Sequence, residues 1–437
     1  MHLSRLYIKN FRNFSEIDIS IQNGVTSIIG ENNSGKTNLL RAVRLVLDVR
    51  LSAAARMLMP EDLHAAVDFT VPNEVIISAE LSGFENRDES AAMAAQWSVE
   101  KDRARLTFRF KPRPTVAQDI KDGIHTGVEL KEKDYHWELV GGGKEDPSAL
   151  AWDVEITGRR PVSMRDLQDL NVTFLPAIRD VEETLRRRKY SPLRRLVQSL
   201  DLPKSEQDRL LKLVATANTA IATQPAIGAL GKSIESSFHS ASGPAFSMGI
   251  KMGVAPATFD GLVGNLGVLL NDAGLTDFSP DRNGLGLNNL LYIAFLLEEF
   301  RRRNDAGEVA GSLLLFEEPE AHLHPELQDS LYGALVASGA QTLLTTHSTH
   351  ICAKAPLSSY IVLTKGTGSS SVCVPGESGG LTKRESGDIE RYLNATRSRM
   401  LMARGVLLVE GTAEAFVVPA LASAHGFDLD RLGIAVV

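Results

Sequence analysis

Apolar positions in the first thirty residues fall into short alternating or continuous blocks. Residues 3–8 and 16–21 read as strands, joined through the turn-like Asn10-Phe11-Arg12-Asn13-Phe14. Residues 25–29 form a β-branched run, the pattern of a buried strand. A glycine-bounded loop follows, then a helix expected over residues 36–51 with Leu39, Leu40, Val43 and Leu47 on one face. Residues 74–82, 104–110, 126–130 and 136–141 carry strand patterning between charged and Gly/Pro-rich stretches, which predicts an antiparallel meander. Residues 172–176 are a further buried-strand candidate. Helical patterns then occupy 192–200 and 205–222, and a strong one covers 288–303, with Leu291, Ile293, Leu296 and Leu297 facing one way. Short buried strands at 313–316 and 341–345 flank a helix near 325–337. The Gly/Ser-rich stretch 366–387 reads as loop or linker. A new α/β unit begins near Gly405, with a strand at 406–409, a helix at 412–425 and a next strand at 432–437.

Composition narrows the class. A chain of 437 residues is long enough for two or three domains. Its 43% hydrophobic and 23% charged content is ordinary for a globular core. The net charge of -7 means that any nucleic-acid contact must come from local basic patches. The two cysteines, Cys352 and Cys373, form no CxxC motif, which fits a reducing cytosol rather than a disulfide framework. No secretory h-region and no run of about 18 apolar residues is present. The expected location is cytoplasmic, with no membrane partner.

The chemistry sits at strand ends. Gly30-Glu-Asn-Asn-Ser-Gly-Lys36-Thr37 follows an apolar strand and opens a helix, the context a phosphate-binding P-loop requires. Its glycines let backbone N–H groups curl around phosphate oxygens. Lys36 is placed to reach the β/γ-phosphates and Thr37 to ligate Mg²⁺, with Gly30, Asn32, Asn33, Ser34, Gly35 and Asn38 completing the ATP-binding set. Downstream, Leu313-Leu-Leu-Phe-Glu-Glu-Pro-Glu320 ends a buried strand in carboxylates. Glu317 is placed to act on Mg²⁺ and Glu318 to orient or deprotonate water. His347, in Thr346-His347-Ser348, is a candidate for contact with the γ-phosphate or that water. Asp281-Arg-Asn-Gly-Leu-Gly-Leu-Asn-Asn289 is a Gly-rich turn before a helix, suited to cap a γ-phosphate held by a second subunit.

The order of these elements is similar to that in ABC-type ATPases acting on DNA, including the structural-maintenance-of-chromosomes group. Ile8-Lys-Asn-Phe-Arg-Asn-Phe14 resembles the same group. A narrower resemblance rests on Glu317-Glu-Pro-Glu-Ala-His-Leu-His-Pro325, Thr345-Thr-His-Ser348, Leu407-Leu-Val-Glu-Gly411 with Glu414, and Leu175-Pro-Ala-Ile-Arg-Asp180. Together these resemble the OLD (overcoming lysogenization defect) family. The resemblance implies an α/β chain: an ABC/SMC-like P-loop ATPase with an inserted helical dimerisation subdomain, then the start of a Toprim Rossmann-like domain. The expected boundaries are 1–180 and 251–370 for the ATPase, 181–250 for the insert, 371–404 for a linker and 405–437 for the partial Toprim domain. It also implies Glu318 as catalytic glutamate, His347 as switch histidine and Gly284 and Gly286 as a signature-like turn. Glu410 and Glu414 match Toprim acidic residues that bind Mg²⁺ or Mn²⁺ for phosphodiester cleavage. The later Asp-x-Asp-type strand of Toprim nucleases has no counterpart before Val437, so an ATPase with an incomplete nuclease metal site is expected.

DNA, a second copy of the chain and a regulatory protein are the implied partners, with a role in phage defence or DNA repair. The alternative is an SMC/RecF-like DNA-binding clamp without cleavage. Such clamps need sustained heptads between P-loop and signature, whereas residues 38–283 are broken by Gly and Pro. The basic run Arg186–Lys189, with Arg194 and Arg195, is the best candidate for DNA phosphate contact, a solvated helix face being the alternative. His322 and His324 form a His-x-His without an evident third ligand, and a subunit-contact loop is the preferred reading.

Overall fold

The computed structural model describes residues 1–84, 94–150, 152, 155–177, 192–200, 202–243, 248–264, 266–272, 274–282, 284–307, 311–378, 380–393 and 397–437. The chain divides into two compact units, 1–178 with 303–437, and 179–302.

The first unit holds two sheets. One is antiparallel, in the order Phe14–Ser20, His2–Phe11, Val75–Ser82, Arg103–Pro112, Tyr135–Gly141, Arg160–Pro161, with Ser98–Glu100 on the side of Arg103–Pro112. Leu6, Ile8, Ile77, Phe108 and Phe110 of this sheet and Leu39, Leu40 and Val43 of the helix Lys36–Leu47 belong to one buried cluster. The meander expected from alternation is therefore present, except at residues 126–130. There a 3-10 turn, Gly127–Glu129, replaces the expected strand, because the Glu129 carboxylate folds back to accept the Thr126 N–H at 3.0 Å.

The second sheet carries the chemistry. Its order is Ser370–Cys373, Tyr360–Lys365, Val25–Gly30, Gln341–Thr345, Gly311–Glu317, Leu170–Leu175, and all neighbours are parallel except the first pair. Register pairs Ile28 with Thr345 and Thr345 with Glu317, so three adjacent strands end at one edge. In open parallel sheets, ligands bind outside such carboxyl ends.

The helix after the P-loop stops at Leu47, not at residue 51. The buried Arg56 guanidinium donates to the carbonyls of Leu45 at 3.1 Å and Asp48, and satisfies the helix end from outside. Residues 366–387 are also corrected. Ser370–Cys373 pairs with Tyr360–Lys365 as a hairpin, and a Thr382–Glu385 capping box opens the helix Lys383–Tyr392. Gly/Ser content masked a strand whose pairing comes from its neighbour. The C-terminal residues form a parallel pair, Gly405–Leu407 with Ile434–Val436, joined through the helix Thr412–Ala424.

The second unit is mainly helical. Lys204–Ala222 and Pro225–Ser242 are its long helices, and Leu213, Ile221, Leu230, Ile234 and Phe238 on them are exposed. Leu285–Asp305 starts directly after Gly284.

Candidate functional site

The P-loop conformation depends on positions that a side chain would disrupt. A Cβ at Gly30 would lie 2.2 Å from the Leu363 carbonyl oxygen on the neighbouring strand. Gly35 has φ +103°, and a Cβ there would meet the Phe14 ring at 2.8 Å. Asn33 takes φ +63°, which Asn tolerates better than most residues. The loop's other polar groups differ in exposure: Asn32 is exposed, while the Ser34 hydroxyl is buried without a hydrogen-bond partner.

Lys36 folds back into its own loop, donating to the carbonyls of Gly30 and Glu31, both at 2.9 Å. Burial pulls its pKa down, and the nearby Glu318 and Glu320 oppose that shift. Thr37 opens the helix with its hydroxyl against the Glu317 carboxylate. A hydroxyl and a carboxylate oxygen converging beside a phosphate loop form the hard-oxygen donor set that suits Mg²⁺.

Glu318 turns out of the strand at φ +45°, with its N–H held by the Thr345 carbonyl at 3.0 Å. Its carboxylate lies 3.8 Å from His347 Nε2. Burial, reinforced by Lys36, lowers the His347 pKa, while Glu318 pulls it the other way; the imidazole is held neutral near pH 7. Lys36, Thr37, Glu317, Glu318 and His347 are thus gathered at one sheet edge from three strands distant in sequence.

Two groups in this neighbourhood escaped the sequence reading. The turn after the first strand clamps the loop from behind: Arg12 donates to Asn38 Oδ1 at 2.7 Å and to Asp62 at 2.7 Å, and Asn38 donates to Asn13. The signal available was Asn10-Phe11-Arg12-Asn13-Phe14, where Asn10 and Arg12 both take positive φ. The other is Glu320, buried behind the Thr346-His347 turn.

The remaining candidates are distributed differently. Gly284 and Gly286 lie in the 179–302 unit, where Asn288 donates to the Pro280 carbonyl at 2.7 Å and secures the helix start. Glu410 and Glu414 are exposed, at the junction between strand Gly405–Leu407 and helix Thr412–Ala424. A Cβ on Gly411 would lie 2.8 Å from Glu414 Oε2, so the glycine leaves that carboxylate room beside the loop. Among the described residues no cluster of three or more His, Cys, Asp or Glu side chains forms a metal cage, here or at His322 and His324. Arg195 is engaged by Glu299 through two hydrogen bonds, at 2.8 and 2.7 Å. The run Arg186–Lys189 and the Arg194 side chain lie outside the described residues. Among the described residues no helix is long and apolar enough to cross a membrane.

The family described as AAA ATPase domain matches residues 1–121 and 250–352. The TOPRIM domain of overcoming lysogenization defect protein-like sequences matches residues 401–437. An OLD nuclease of Thermus scotoductus is 26% identical over 370 residues, covering 79% of this chain and 59% of the relative. Endonuclease GajA of Bacillus cereus is 24% identical over 423 residues, covering 95% of this chain and 66% of the relative. A RecF DNA replication and repair protein of Halalkalibacterium halodurans is 43% identical over 56 residues, 13% of this chain and 15% of that protein. The chain therefore spans 59% and 66% of the lengths of the first two relatives.

Proposed function

The chain belongs to the OLD (overcoming lysogenization defect) family, an ATPase domain followed by TOPRIM sequence, and from that premise we propose that it hydrolyses ATP with Mg²⁺ and serves a metal-dependent DNA nuclease. The observation that carries the ATPase reading is the convergence of Lys36, Thr37, Glu317, Glu318 and His347 on one sheet edge.

In this reading Lys36 exchanges its two loop carbonyls for β/γ-phosphate oxygens, and the loop N–H groups hold the rest. Thr37 and Glu317 would hold Mg²⁺, whose chemistry is to neutralise phosphate charge. Glu318 accepts the proton of the attacking water, and the neutral His347 orients that water or donates to a transferring oxygen. Gly284 and Gly286 serve as the turn that a second copy offers to the nucleotide. The exposed apolar residues of Lys204–Ala222 and Pro225–Ser242 suit a homodimer contact. Glu410 and Glu414 supply acidic ligands for Mg²⁺ or Mn²⁺ at the nuclease site. DNA is the substrate and the cytoplasm the location; phage defence fits the OLD and GajA relatives.

Phosphate release is the first measurement. The chain turns over ATP with Mg²⁺, loses turnover in EDTA, and slows by roughly a hundredfold or more in Glu318→Gln, in line with the loss of a general base. Lys36→Ala abolishes nucleotide binding. Turnover that survives both substitutions sinks the assignment. Plasmid cleavage with Mg²⁺ or Mn²⁺ by a chain that also carries the later Asp-x-Asp-type strand tests the nuclease part, and Glu410→Ala abolishes it there. DNA-stimulated ATP hydrolysis without any cleavage would instead favour a DNA-dependent ATPase clamp.

A further inference from the structure

Glu320 is the third carboxylate of the Glu317–Glu320 run, yet it does not face the P-loop opening with the other two. It is buried, 8% exposed, behind the strand end. Its Oε1 accepts the Thr346 hydroxyl at 2.6 Å and the His347 N–H at 2.8 Å. The Thr346 hydroxyl in turn accepts the Ser348 N–H at 2.9 Å, and the Ser348 hydroxyl meets Gln328 Oε1 at 2.5 Å. One carboxyl oxygen thus anchors the backbone of the residue that presents its imidazole to Glu318. The other oxygen, Oε2, is buried with no hydrogen-bond partner.

We propose that Glu320 is a positioning residue for ATP hydrolysis, whose buried Oε1 holds the Thr346-His347 turn so that His347 stands opposite Glu318. Burial pushes the Glu320 pKa up, while the hydrogen bonds from Thr346 and His347 pull against that shift. A few tenths of an ångström at His347 matter, because a displacement of about 1 Å in a reacting group can slow turnover by about a hundredfold.

The inference rests on the ATPase reading, and the test separates the two. Steady-state ATP hydrolysis is measured for the full chain, Glu320→Ala, Glu320→Gln, His347→Ala and the Glu320→Ala/His347→Ala pair. The expected result is that Glu320→Ala lowers kcat by roughly ten- to a hundredfold with KM little changed, as loss of positioning requires. Glu320→Gln, which keeps an acceptor toward Thr346 and His347 without a charge, retains most of the rate. In the His347→Ala background Glu320→Ala adds little further loss, because its effect passes through that side chain. If Glu320→Ala proves insoluble, Thr346→Val against Thr346→Ser asks the same question with one hydrogen bond. The proposal is overturned by a Glu320→Ala rate equal to wild type, by a Glu320→Gln rate as low as Glu320→Ala, by additive losses with His347→Ala, or by equal Thr346→Val and Thr346→Ser rates. Absence of turnover in the wild-type chain overturns the ATPase reading itself, and this inference with it.

Discussion

Side chains at the nucleotide edge are set by close approach rather than by composition. Gly35→Ala combines φ +103° with a contact to the Phe14 ring. It should destabilise the chain by about 1–3 kcal/mol, the range for backbone strain and overpacking, and lower ATP affinity; urea denaturation and nucleotide titration check the two effects. His347 makes a pH-dependent contribution. Its folded pKa is lowered by burial and Lys36, so the unfolded chain takes up its proton first as pH falls. Stability is lost on the acid side of about pH 6.5, the ordinary imidazole pKa. The urea midpoint should therefore drop more between pH 7.5 and 5.5 in wild type than in His347→Gln, and equal drops would refute the assignment. At this scale the convergence of Lys36, Thr37, Glu317, Glu318 and His347 could be anticipated because each lies in a short motif at a strand end. Arg12 and Glu320 were not, since an arginine in a turn and a third glutamate in an acidic run read alike whether solvated or buried.

Elements are held by charged groups that the hydrophobic pattern does not reveal. Arg109 reaches Glu74 with two short bonds, at 2.7 and 2.8 Å, between side chains that are nearly inaccessible. Replacing Arg109 with Met strands the Glu74 charge and should cost about 3–5 kcal/mol, the usual penalty for breaking a buried pair from one side. Glu74→Gln/Arg109→Met should recover part of that loss in the same urea titration. Arg56 acts at another joint, where it caps the helix Lys36–Leu47 from outside the helix's own sequence. Arg56→Ala leaves those carbonyls buried without donors and should destabilise by about 1–3 kcal/mol, with faster amide exchange in the last turn. That long-range cap explains why periodicity alone carried the helix four residues too far. The hairpin strand Ser370–Cys373 was missed for a related reason: its partner Tyr360–Lys365, not its own Gly/Ser-rich composition, makes it a strand.

Across the first unit, the P-loop is tied to the start of the C-terminal α/β segment. Arg404 donates from Nε and Nη2 to the two carboxylate oxygens of Glu31, at 2.9 and 3.0 Å. Glu31 is the residue after Gly30, and Arg404 immediately precedes the strand Gly405–Leu407. Arg404→Glu sets like charges against each other, and hydrogen exchange should then speed up in both the P-loop and Gly405–Leu407. Unchanged exchange in both would mean that the pair carries no coupling.

At the largest scale, the division of labour follows from the range of the forces involved. Strand and helix identity, the P-loop, the acidic strand end and the resemblance to the OLD family are encoded locally, by periodicity and by residue types at fixed spacing, so the linear order of residues is enough to read them. Tertiary structure alone decided that Thr345 lies between Ile28 and Glu317 in register, that Glu320 turns inward behind His347, that Arg56 ends a helix and that Arg404 meets Glu31. Each of these joins groups distant along the chain, or selects burial over exposure for a charged side chain, and both depend on what the rest of the fold places opposite.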